Sequence, residues 1–261
     1  MNPVQERIHM IELQGINLQV VRQGSGPHLL LLHGGDGPQD HLPFFNRLTE
    51  RFDVVAPVHP GFAGSVTPSH FDNLEDLVYL YLDLLDAFNL RDVVLMGVDM
   101  GGWTAAEIAV RNTSRLAKLI LVDAVGVKPG GRDTRDIADI FGLPDAEAVR
   151  LLFHDAAKRS DPMCMSKQDI ERLAANRIAH AMYTWHPYMH NPKLRYRLHR
   201  IDVPTLLVWG ASDGMVSTAY AEAYRAMIPD AELCIVPEAG HWPHVEQPDR
   251  LFDAVLPFAT R

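Results

Sequence analysis

Cysteine is scarce in this chain. Its 261 residues include two, Cys164 and Cys234, without the spacing of a metal site or the number a disulfide framework needs. No metal is expected, and a reducing, cytoplasmic setting is. Long apolar runs are also lacking. No stretch approaches the ~20 residues that cross a bilayer, and the amino terminus, MNPVQERIHMIELQG, is charged where a secretory leader would be apolar. A basic surplus is lacking too: 24 Lys and Arg against 33 Asp and Glu leave a net charge of -9. That balance disfavours nucleic-acid backbones and anionic membranes as partners. The one dense basic stretch, KLRYRLHR at residues 193–200, reads as a solvated helix face. Internal repeats and low-complexity linkers are missing as well. What remains is an ordinary globular composition, 47% hydrophobic and 22% charged, suited to a small-molecule substrate.

The hydrophobic text has a rhythm. HMIELQG and INLQVVRQG predict a hairpin. HLLLLHGG and FDVVAPVHPG are short apolar runs ending in turn residues, as buried parallel strands do. LEDLVYLYLDLLDAF has a helical period, DVVLMGV is the next strand, a helix starts at Met100, and KLILVDAVG is a further strand. The alternation then stops. DTRDIADIFGL, DAEAVRLLFHDAA and SKQDIERLAANRIAHAMYTWHPYMHNP predict helices, the last opened by a capping-box variant of Ser166 with Asp169. Strands return with VPTLLVWGASD and AELCIVPEAGH, and the helix PDRLFDAVLPFAT closes the chain. Strand–helix–strand order implies one α/β domain, a mostly parallel sheet flanked by helices. Its core spans residues 1–126 and 198–261. Residues 127–197 form a helical cap emerging at the strands' carboxyl ends, where such sheets bind ligands.

The chemistry gathers at three strand ends. In Gly97-Val98-Asp99-Met100-Gly101-Gly102, small residues two before and two after Asp99 let a strand turn abruptly into a helix and present one side chain at the apex. Asp213 follows a later strand in LLVWGASDG, and His241 follows another in IVPEAGHWPH. Apex residue, acid, then histidine is the order of a hydrolytic triad. The loop LLLLHGGDGP would add the Gly35 amide to that of Met100 in an oxyanion hole.

On HGGDG, GVDMGG, WGASD and GHWPHVEQP together, the chain resembles the α/β-hydrolase superfamily over essentially its whole length. The closing phrases are similar to small bacterial serine hydrolases with a helical cap. The departure is Asp99, since serine is usual there. An aspartate at the elbow resembles the epoxide hydrolases and the haloalkane or fluoroacetate dehalogenases.

An aspartate changes the reaction. With a reference pKa of about 3.9 it is ionised without help, and the helix amino terminus favours that charge. It can displace a leaving group from carbon and become an alkyl ester. His241, oriented by Asp213, would then activate water against that ester, with no cofactor. An epoxide is the first expectation for the substrate, small to medium and apolar, with Tyr183 or Tyr188 as the proton donor that the resemblance implies. A carbon–halogen bond is the alternative, with Trp185 and His186 lining the pocket. A third reading takes Asp99 as the replacement of a serine in an ester or carbon–carbon bond hydrolase, leaving an inactive or ligand-binding protein. Asp123, ending the strand in LVDAV, is an alternative acid, as in some dehalogenases of this fold. His33 is expected to hold the oxyanion loop, Trp103 to pack on the sheet, Asp36 to face solvent and His244 to sit on the rim.

Overall fold

The computed structural model describes residues 8–38 and 42–261; the charged stretch before residue 8 lies outside the described residues. Eight strands form one sheet: β1 (Ile8–Leu13), β2 (Ile16–Gln23), β3 (His28–Leu32), β4 (Asp53–Pro57), β5 (Val93–Val98), β6 (Leu116–Val122), β7 (Thr205–Gly210) and β8 (Glu232–Val236). Their spatial order is β1-β2-β4-β3-β5-β6-β7-β8. The first hairpin pairs antiparallel, and β2 lies antiparallel to β4. From β4 onward every pairing is parallel.

Both faces of the central strands are covered, which is why they read as unbroken apolar runs. Leu95, Leu119, Leu121 and Leu207 point into one hydrophobic cluster. It lies with α2 (Leu74–Ala87), α3 (Met100–Arg111) and α6 (Thr218–Arg225). Their neighbours Val94, Met96, Ile120 and Val208 point to the other face, where the closing helix (Pro248–Thr260) and α1 (Leu42–Leu48) pack. The start of α2 is fixed by a capping box: the Asn73 side chain accepts from the Glu75 amide, and the Asp76 carboxylate accepts from the Asn73 amide.

Between β6 and β7 the chain leaves the sheet and forms α4 (Asp145–Leu152) and α5 (Lys167–Thr184), joined by short 3-10 turns. The helix expected over residues 133–143 is not formed. Asp136 Oδ2 accepts from the Gly130 amide (3.1 Å) and the Lys128 ammonium (3.1 Å), and Asp139 Oδ1 accepts from the amides of Phe141 (3.2 Å) and Gly142 (3.0 Å). Aspartates bonded to nearby amides compete with helix, and Pro144 biases the preceding residue away from it. Nor is the basic stretch a solvated helix face. It makes two 3-10 turns, from which Arg195 donates to the carbonyls of Lys128 and Pro129, and Arg200 donates to that of Val110 near the end of α3.

Ser166 caps α5 as the sequence suggests: its Oγ accepts from the Asp169 amide (3.2 Å) and donates to the Asp169 carboxylate (2.7 Å). Ser166→Ala is therefore expected to cost about 1 kcal/mol, seen as a lowered urea midpoint at unchanged m-value. Buried Asn176 ties α5 to the core. It accepts from the Ala63 amide and donates to the Asp36 carbonyl, each at 2.8 Å.

Candidate active site

The parallel strands end in step. Val98 pairs with Val122, and Val122 with Val208. Asp99 and Asp123, each one residue past its strand, therefore stand side by side on the carboxyl edge. The Asp99 amide donates to Val122 O and the Asp123 amide to Val208 O, both at 3.0 Å. Asp99 has φ 50° and ψ -120°, a strained apex that costs on the order of 1–3 kcal/mol and persists only where neighbours enforce it. Glycine makes the bend possible: a Cβ on Gly97 would stand 2.2 Å from Gly101 O, and one on Gly101 2.3 Å from Leu32 O.

Asp99 is fully buried. Its Oδ2 accepts from the Gly35 amide at 2.9 Å, so one carboxylate oxygen already occupies the expected oxyanion position, beside the start of α3 at Met100. Among the described residues its Oδ1 has no hydrogen-bond partner, and it faces His241 Nε2 at 3.4 Å. Burial pushes the Asp99 pKa up, but the contact with His241, the charges of His180 and His241 and the Gly35 amide outweigh it, and the group is held below its ordinary value. The apex therefore carries a carboxylate.

His241 is bound on its other side. Its Nδ1 meets Asp213 Oδ2 at 2.8 Å, and Asp213 Oδ1 accepts from the amides of Met215 (2.8 Å) and Val216 (3.0 Å). Burial lowers the His241 pKa, but Asp213 and then Asp99 overcome it, and the imidazole is held well above its ordinary value. The loop carrying it is clamped by the β6–β7 insertion. The His241 amide donates to Leu152 O at 2.8 Å. Buried Glu246 accepts from the amides of Gly240 (2.6 Å), His154 (3.2 Å) and Asp155 (2.8 Å).

The structure thus brings Asp99, His241 and Asp213 into one chain of contacts, with the Gly35 amide on the Asp99 carboxylate. This arrangement, on this sheet, is accompanied by a match of residues 29–254 to the model of the alpha/beta hydrolase family. The chain belongs to that family. Among similar proteins, the hydrolase is 27% identical to the 2-hydroxy-6-oxo-6-(2'-aminophenyl)hexa-2,4-dienoic acid hydrolase of Metapseudomonas resinovorans, over 95% of this chain and 89% of the relative. It is 24% identical to the 2-hydroxy-6-oxo-6-phenylhexa-2,4-dienoate hydrolase of Burkholderia cepacia, over 94% and 92%. A solved hydrolase from Pseudomonas aeruginosa superposes with a TM-score of 0.77 at 25% identity, covering 97% of this chain and 98% of that one.

Sequence reasoning passed over His180, on α5. Its Nε2 lies 3.6 Å from Asp99 Oδ2, too far for a hydrogen bond, and is buried with no hydrogen-bond partner among the described residues. Its ring presses on the oxyanion loop so closely that a Cβ on Gly35 would fall 2.0 Å from Nδ1. Burial pulls its pKa down, more than the carboxylates of Asp99 and Asp36 raise it, so the ring is neutral at physiological pH. His180 and Gly35 line a cavity of about 500 Å³ whose other walls include Phe141, Leu152, Leu173 and Trp242.

Four expectations need correction. The proton of Tyr183 is committed to Pro60 O (3.0 Å) and that of Tyr188 to Ala138 O (2.9 Å), so neither hydroxyl offers Asp99 a donor. The insertion's own backbone supplies the Tyr188 acceptor, a pairing that residue type could not announce. Trp185 is 56% exposed and packs edge-on to Phe141 and Tyr188. His186 lines a separate cavity with Trp103 and Arg111. Neither is among the residues lining the 500 Å³ cavity, because α5 ends at Thr184 and turns the following residues outward. Asp36 does not face solvent freely. Its Oδ2 meets His244 Nε2 at 3.3 Å, and His244 is buried in the cavity wall instead of sitting on a rim. His33 holds the oxyanion loop as expected, through Gly34 O and the His59 amide, and Trp103 is buried in the core cluster beneath α3.

Proposed function

We propose that the chain hydrolyses a carbon–halogen bond through a covalent alkyl ester on Asp99. The observation that carries the reading is the placement of one carboxylate, with Oδ2 held by the Gly35 amide and Oδ1 buried and without a hydrogen bond among the described residues; its pKa is held below the ordinary value. In the first step Oδ1 attacks the carbon of R–X. A C–O bond forms, the C–X bond breaks with its electron pair, and X⁻ departs. Oδ2 becomes the carbonyl oxygen of the ester, already 2.9 Å from an amide donor. In the second step His241 takes a proton from water as the oxygen attacks Cγ of the ester. The oxyanion forms on Oδ2, where Gly35 stabilises it, and collapse releases R–OH and the carboxylate. The proton taken from water stays on His241 beside the restored carboxylate; the one the ring held before is lost to solvent once the ester has removed the Asp99 charge.

Halide is preferred to epoxide because of what the insertion offers. An epoxide opens to an alkoxide that needs a proton, and the hydroxyls of Tyr183 and Tyr188 are engaged elsewhere. A neutral imidazole such as His180 is a poor acid for an alkoxide but a good N–H donor to a halide. His180 lines the cavity and lies 3.6 Å from Asp99, which is not itself among the lining residues, so the ring must swing aside or share the space as substrate enters. The cavity walls suit a small to medium, mostly apolar body.

The test is a single turnover in ¹⁸O-water with enzyme in excess over a haloalkane or haloacid. Halide release together with ¹⁸O in the peptide bearing Asp99 is expected. Label appearing only with an epoxide would move the leaving group to oxygen. No label with either electrophile would overturn the covalent reading. A second reading has one observation behind it: the relatives named above are, by their names, hydrolases of substituted hexadienoic acids. On that reading Asp99 stands in a serine's place, and the protein binds such a ligand without turning it over.

A further inference from the structure

Asp123 is a buried acid that the mechanism above does not use. It stands one residue past β6 with φ 42°, in the left-handed region that aspartate enters at a cost of roughly 1 kcal/mol or more. It is fully buried. Its Oδ1 accepts from the Gly210 amide at 2.8 Å, while among the described residues its Oδ2 has no donor. A carboxyl oxygen of Asp123, one of Asp213 and a ring nitrogen of His241 all lie within 4.8 Å of one another. Asp213 for its part is saturated with donors, two amides and the imidazole.

Two carboxylates this close, both out of water, cannot both ionise cheaply. Like charge and burial each favour protonating one of them. The proton belongs on the member with fewer donors, which is Asp123. Burial first and the Asp213 charge second push its pKa well up. We infer that Asp123 is a positioning residue that keeps a proton and donates it to Asp213, so that His241 is anchored on a carboxylic acid–carboxylate pair instead of a lone carboxylate. The inference rests on reading Asp213–His241 as the acid–base pair, but its test needs no substrate.

The donated hydrogen bond draws charge away from Asp213 and so makes His241 less basic than Asp213 alone would. The groups facing Asp123 are Asp213 and His241; those facing His241 are Asp213, Asp99 and, from α5, His180. Titration of His241 followed by ¹⁵N NMR of its ring then separates the cases. Asp123→Asn keeps an acceptor for Gly210 and a donor for Asp213, and is expected to leave the His241 titration where it is. Asp123→Leu keeps the volume but removes the donor, and is expected to raise the His241 pKa by about one unit, a roughly tenfold change in its proton affinity. A residue that only braces Gly210 would move neither. If Asp123→Asn lowers the His241 pKa, Asp123 was an anion and the proposal is wrong; if a folded Asp123→Leu protein titrates like wild type, the coupling is absent and it is wrong again. Should Asp123→Leu not fold, infrared difference spectra decide. A protonated-carboxyl stretch at neutral pH that disappears in Asp123→Asn is expected, and its absence overturns the inference. Neither result depends on whether Asp99 forms an ester.

Discussion

His241→Gln is expected to release about one equivalent of halide per chain and then stop, with the substrate's alkyl group left on Asp99. The two steps make different demands on the site. Displacement needs an ionised Asp99 and an N–H near the leaving group; a glutamine amide can replace the imidazole as a donor toward Asp99, though not as a base. Water attack needs that base, and its removal costs on the order of 10²–10⁴-fold. Intact mass of the protein and of the peptide around Asp99 would show the adduct, and its decay rate would give the residual second step. The pH dependence should divide in the same way. Asp99 is held below its ordinary value, so the halide burst should persist in acid where ester hydrolysis has already slowed, and decline only below the ordinary carboxylate range. His241 is held well above its ordinary value, partly by the Asp99 charge. Esterification removes that charge, so His241 loses protons more readily once the ester exists. Ester hydrolysis still slows as pH falls through the lowered His241 value, because only the neutral ring accepts a proton. In acid the wild-type enzyme should therefore accumulate the same adduct that His241→Gln holds at neutral pH. A burst that declines with the steady-state rate would contradict this division.

The features that were legible in the sequence are those written in local patterns. Unbroken apolar runs announced β3, β5, β6 and β7 because parallel strands are covered on both faces, and the glycines around Asp99 announced the bend because no other residue clears the opposing backbone. Ser166 and Asp169 announced the start of α5 because a cap is a contact between residues three apart. The features that were missed depend on where a helix points. His180 and Tyr183 lie three residues apart on α5, yet the imidazole reaches Asp99 while the phenol reaches Pro60. That outcome depends on how Asn176 pins the helix across Ala63 and Asp36, contacts more than a hundred residues distant in the chain. The residues after α5 carry aromatic rings and look like pocket lining, but Met189 N bonds back to Thr184 O and Gly126 N to Met189 O, which folds that segment against the sheet's flank. Glu246 was equally unreadable, since its three amide partners come from two separate loops.

Asp99→Ser should abolish displacement at carbon and open a new reaction at carbonyl groups. In the native site Oδ2 fills the position opposite the Gly35 amide, so an incoming ester carbonyl finds the donor taken and a negative charge beside it. Serine is shorter and neutral. It vacates that donor, places a hydroxyl near His241 Nε2, and makes His241 less basic by removing the Asp99 charge. The ring can then accept the serine proton, as a hydroxyl nucleophile requires. Halide release should fall by several orders of magnitude, on the order of 10⁶ where a nucleophile is deleted outright. Hydrolysis of a nitrophenyl ester small enough for the 500 Å³ cavity should rise above that of Asp99→Ala, which lacks both oxygens. His180 decides how large the gain is. Its ring lies on Gly35 and was placed against a carboxylate, so Asp99→Ser with His180→Ala should exceed Asp99→Ser alone if the imidazole obstructs the carbonyl. Equal ester rates in Asp99→Ser and Asp99→Ala would mean that the elbow does not direct a side chain at substrate, and the covalent role proposed for Asp99 would lose its geometric basis.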